Sequence, residues 1–65
     1  MEYTNSQIKA LIDEHIHSRR DRQVLFLRLV EGLTFEKIAE EMDLSVRYTK
    51  TIVYKAEKTL FKHLK

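Results

Sequence analysis

Thr34 and Ser45 stand at the heads of two helical patterns with almost no chain between them. That pair of starts restricts the fold more than any other feature. Each hydroxyl can accept a hydrogen bond from a first-turn amide that has no partner inside its helix. Leu33 precedes the first cap and Ile38 lies four residues beyond it, the spacing of a hydrophobic staple. The first helix is expected over about 35–42, with Ile38, Ala39 and Met42 on one face. Asp43 and Leu44 leave only a tight turn. The second helix starts after Ser45 and places Thr49, Ile52, Val53, Ala56 and Leu60 on one stripe. Helices joined by so short a turn cross steeply, as a helix-turn-helix. The small Ala39 lets the second helix approach the first closely.

At 65 residues the chain is expected to form a single domain over 1–65. A domain of this size buries only about 60% of its unfolded surface, which leaves room for one small core and none for a deep catalytic cleft. There is no cysteine, hence no disulfide framework and no thiolate metal site. No apolar run reaches the roughly 18 residues of a membrane span, and no signal-peptide pattern is present, so the expected location is the cytoplasm. Proline is absent and Gly32 is the only glycine, a composition that favours helices over a sheet. The expected class is all-α, a four-helix domain with the helix-turn-helix at its C-terminal end.

Ahead of this pair, the N-terminal helix is expected over about 5–17, opened by the capping box Thr4-Asn5-Ser6-Gln7. Ile8, Leu11, Ile12, His15 and Ile16 share one of its faces. That stripe either covers the core of its own chain or anchors a homodimer through Ile8, Leu11, Ile12 and Ile16. Ser18 caps a second helix over about 19–31, apolar almost all round from Val24 to Val30, the pattern of a central helix touched from several sides. Gly32 suits the left-handed residue that ends it. The last helix is expected over about 46–63, with Phe61 and Leu64 at its apolar edge.

The formal net charge of +2 is unevenly spread. Residues 1–43 carry a balance of −3, whereas residues 44–65 hold Arg47, Lys50, Lys55, Lys58, Lys62 and Lys65 against Glu57 alone, a balance of +5. A polyanion is the natural partner of such a helix, and a solvated basic face is the bland alternative. Around the last helix at 100° per residue, Arg47, Thr51, Tyr54 and Lys58 face away from the core stripe. Lys50 lies on one flank, with Tyr48 and Lys55 on the other. In a helix-turn-helix the N-terminal part of the second helix enters the major groove of double-stranded DNA. Arg47 has the fork that pairs with guanine, and Thr51 can meet a base through its hydroxyl or methyl. Tyr54 completes the base-facing set. Tyr48, Lys50, Lys55 and Lys58 are placed for phosphates, which set register without reading sequence. Thr34 and Lys37 add a phosphate contact at the amino end of the preceding helix.

The run from Arg22 to Val46, RQVLFLRLVEGLTFEKIAEEMDLSV, resembles region 4 of sigma-70-type factors, and most of all the extracytoplasmic-function group. The marks are V-L-x-L-R at 24–28, E-G-L-T at 31–34, I-A-E at 38–40, L-S-V at 44–46 and the late Ala56 and Leu60. The resemblance covers about 22–64 and implies a bacterial or phage transcription regulator. It implies binding of the −35 promoter element in the major groove and docking on the flap of the RNA polymerase β subunit. It also implies base-reading positions at Val46, Arg47 and Thr51, and a phosphate position at Lys50. Housekeeping members often carry Arg, Glu and Gln at those base-reading places, so the consensus −35 element is not the expected target. Asp43 stands where the family has its turn glycine, and Thr49 where it has a buried aliphatic, an exchange expected to weaken the core slightly. No counterpart of the −10-recognising region is present, so the expectation is a small stand-alone regulator or one half of a split sigma factor.

The competing reading is a module that docks on RNA polymerase or a sigma fragment without reading DNA, with Phe26, Phe61 and Leu64 as its apolar contacts. An enzyme is not expected. His15 and His17 point to different sides of a helix, and no nucleophile-base pair or phosphate-cradling glycine loop exists. No cofactor and no metal are expected.

Overall fold

The computed structural model describes residues 3–63. Over them the chain is all-helical, with α1 at Asn5–His15, α2 at Arg19–Leu29, α3 at Phe35–Met42 and α4 at Val46–Phe61. Every helix opens on a hydroxyl. Thr4 accepts from the Gln7 amide while the Gln7 side chain accepts from the Thr4 amide, a complete capping box. Ser18, Thr34 and Ser45 accept from the amides of Asp21, Lys37 and Tyr48 at 3.3, 3.1 and 3.0 Å.

Three helix ends fall short of the sequence-based bounds, each for a local reason. α1 stops at His15 because Ile16 turns extended (φ −106°, ψ 113°). Ile16 is buried, and its carbonyl accepts from Arg22 Nη1 at 3.2 Å. α2 stops at Leu29, where the amides of Val30 and Glu31 both turn to the Phe26 carbonyl at 2.9 and 3.2 Å. The chain then leaves through Gly32 at φ 73°, and the Leu33 amide donates to the Leu27 carbonyl at 3.0 Å. α4 ends at Phe61, with Lys62 and His63 in a turn.

The α3–α4 turn is closed by backbone alone. Asp43 takes the left-handed conformation (φ 58°, ψ 48°), which lets the Leu44 amide donate to the Ala39 carbonyl at 2.8 Å and the Asp43 amide to that of Glu40 at 3.4 Å. This is the Schellman closure, normally made with glycine and tolerated by aspartate. It delivers Ser45 directly to its capping position.

The core gathers Ile12 and Ile16 from the first segment, Val24 and Leu25 from α2, Ile38 and Ala39 from α3, and Ile52, Val53, Ala56 and Leu60 from α4. α2 packs against all three other helices. Ile12 and Ile16 are 1% and 6% exposed, so two of the four proposed dimer anchors are spent within their own chain. Ile8 and Leu11 are half-buried against the same core. The reason is size: α3, eight residues long, cannot cover α2 and α4 without the apolar stripe of α1.

Thr49 is fully buried, and its hydroxyl donates to the Ser45 carbonyl at 2.9 Å. That carbonyl also accepts the Thr49 amide at 3.0 Å, so removing the hydroxyl leaves no orphan. Thr49→Val is therefore expected to change stability by no more than about 1 kcal/mol, neutral or stabilising, in thermal unfolding followed by circular dichroism.

Candidate nucleic-acid interface

α4 divides into two sides. Thr49, Ile52, Val53, Ala56 and Leu60 are buried, whereas Arg47, Lys50, Thr51, Tyr54, Lys55 and Lys58 are exposed. Tyr48 and Tyr54 are 43% and 57% exposed. Val46, the first residue of the helix, is half-buried. The Thr51 hydroxyl donates to the Arg47 carbonyl at 3.1 Å, so its methyl and its oxygen lone pairs are what it offers outward. Thr34 is exposed and uses its hydroxyl as the α3 cap. Lys37 lies 3.7 Å from Glu40, an exposed i,i+3 pair worth only a few tenths of a kcal/mol and easily given up.

Further groups reach this surface from α2 and α3. The Arg20 guanidinium lies 5.1 Å from the centre of the Tyr48 ring, on one flank of α4. Arg28 lies 4.3 Å from the centre of the Phe35 ring and donates to the Leu33 carbonyl at 2.9 Å. Lys50 is 5.7 Å from the same ring, and Tyr54 meets Phe35 edge-on at 5.9 Å and 73°. Sequence reasoning passed over Arg20, Arg28 and Phe35, because these contacts join different helices and leave no periodic trace. These contacts add cationic side chains of α2 to the basic side of the molecule, Arg20 beside Tyr48 of α4 while also paired with Asp21 at 3.3 Å, and Arg28 beside Phe35 of α3.

The residues assigned to partner contacts lie elsewhere. A groove between α1 and α2 has Ile12, Phe26 and Leu27 along it, with Lys9, Arg19 and Arg22 beside them. Lys9 lies 5.9 Å from the centre of the half-buried Phe26 ring. Phe61 is 55% exposed at the end of α4, and Leu64 lies outside the described residues. His15 and His63 stack face to face at 3.9 Å and 5°, an arrangement in which their nitrogens do not converge on one ion. Among the described residues no three His, Asp or Glu side chains gather as a metal site. No helix among them is long and apolar enough to cross a membrane.

The family model described as Sigma-70, region 4 matches residues 18–60, from the cap of α2 to the last core residue of α4 and about two thirds of the chain. No curated protein and no solved structure matches it.

Proposed function

The chain belongs to the sigma-70 region 4 family, a non-enzymatic, transcription-related helix-turn-helix module that acts through DNA or RNA polymerase, and from that premise we propose that it is a sequence-specific DNA-binding regulator of transcription. α4 is the recognition helix and lies in the major groove. The observation that carries this reading is the exposed face of α4, where Arg47, Thr51 and Tyr54 point away from the core among Lys50, Lys55 and Lys58. Arg47 reads guanine through its two-pronged donor, and Val46 and Thr51 present methyl groups suited to thymine. Tyr54 adds contact area on the same side. Tyr48, Lys50, Lys55 and Lys58 bind phosphates, joined by Arg20 from α2 and by Thr34 and Lys37 at the start of α3. This set departs from the Arg, Glu and Gln of housekeeping members, so the target differs from the consensus −35 element.

Selection of bound sequences from a random DNA pool tests the reading directly. Recovery of a defined motif is the expected result, and recovery of no motif overturns sequence reading. Lys55→Ala is expected to weaken all DNA alike and to make the slope of log affinity against log salt shallower by about one unit, because one phosphate fewer is neutralised.

One recognition helix reads only a few base pairs, so specific affinity calls for a second protein surface. The α1–α2 groove favours docking on RNA polymerase or on a sigma-factor fragment, with Phe26 as its apolar contact and Lys9, Arg19 and Arg22 beside it. A pull-down with polymerase in the absence of DNA separates the two activities. Docking that survives Arg47→Ala and Lys55→Ala while DNA binding is weakened assigns the two to different surfaces. A homodimer through Ile8, Leu11 and the exposed Phe61 is the remaining assembly, read by light scattering.

A further inference from the structure

We infer that Phe35 is a positioning residue of the DNA-reading surface, holding Tyr54 and Lys50 in place before DNA arrives; the inference rests on the regulator reading above. Phe35 is the first residue of α3, directly after the Thr34 cap. It is half-buried and packs against the core, so its ring is held from beneath. Its ring meets Tyr54 edge-on at 5.9 Å and Lys50 at 5.7 Å. Tyr54 and Lys50 are four residues apart on α4 and are both exposed, so Phe35 gives each of them a neighbour from another helix. Arg28 closes the cluster from α2 at 4.3 Å, itself held by the Leu33 carbonyl.

The edge-on contact suits the ring quadrupoles, and the ammonium is drawn to the same π-system. Long exposed side chains lose rotamer freedom when they bind, and a side chain ordered in advance loses less. An aliphatic residue at 35 would still fill the space under α3 but would offer neither attraction.

The test is a double-mutant cycle of Phe35→Leu and Tyr54→Ala on the motif recovered by selection, with Phe35→Tyr as the conservative variant, all below their unfolding temperatures. Phe35→Leu is expected to weaken binding by about three- to ten-fold, with Phe35→Tyr within about two-fold of wild type. In the Tyr54→Ala background the same change is expected to cost much less, which a purely structural role for Phe35 would not produce. In the free protein, the Tyr54 ring protons are expected to lose their ring-current shift in Phe35→Leu. Wild-type affinity in Phe35→Leu, or losses that add fully in the double variant, would overturn the inference and leave the regulator reading standing. A wild-type protein that binds no DNA would overturn both, and the ring-current shift would then report the packing alone.

Discussion

Replacing Arg47 by alanine is expected to abolish discrimination at one or two positions of the DNA site while leaving the fold intact. Arg47 lies in the first turn of α4, exposed, on the side opposite Thr49 and Val53. Its backbone is set by the Ser45 cap, whose hydroxyl accepts from Tyr48, so the start of the helix does not depend on the guanidinium. A bidentate arginine–guanine pair is worth about 1–3 kcal/mol of discrimination, and affinity for the selected motif should fall by about ten-fold or more. Affinity for unrelated DNA should fall far less, through loss of a single charge. Arg47→Lys keeps that charge but not the fork, and is expected to resemble the alanine variant in specificity. The measurement is anisotropy titration on the motif and its single-base variants. Equal loss on every sequence would remove Arg47 from the base-reading set and make it a phosphate contact.

The second large effect is on stability. Leu25 is fully buried on α2, which, like α4, touches all three other helices. Truncation there removes a side chain that nothing can collapse to replace, so Leu25→Ala is expected to cost about 2–5 kcal/mol. At the usual stability per residue, a chain of 65 residues has about 3–10 kcal/mol in all. The variant should therefore melt at least about 10 °C lower, or be substantially unfolded at 37 °C. Thermal unfolding followed by circular dichroism reads this, and a melting point within a few degrees of wild type would contradict a shared core centred on α2. DNA binding should be lost only in proportion to the unfolded fraction. The two variants thus separate reading from folding, since Arg47→Ala spares the melting curve and Leu25→Ala spares the contacts of whatever remains folded.

Much of this molecule is local and could be read from residue spacing. Thr4, Ser18, Thr34 and Ser45 each accept from an amide three residues ahead, so the four helix starts follow from short-range chemistry. The sharp turn at Asp43 and the buried stripe of α4 are set by similarly near neighbours. Helix ends were less legible. α1 yields Ile16 to the core, and α2 unwinds where Phe26 takes two amides, and both outcomes depend on what packs nearby. Whether Ile12 and Ile16 meet their own chain or a second copy could not be told from an amphipathic stripe, because the stripe is the same in either case. Tertiary packing placed them inside.

The face of α4 divides in the same way. Period and charge are properties of consecutive residues, so the sequence alone determined that Arg47, Thr51 and Tyr54 share a basic side of a helix that follows a tight turn. Only the tertiary structure brought Arg20 to Tyr48, and Phe35 to Arg28, Lys50 and Tyr54. Those contacts arise from the angle at which α2 and α3 cross α4. That angle is a balance of side-chain volumes across the whole core, and no stretch of neighbouring residues encodes it.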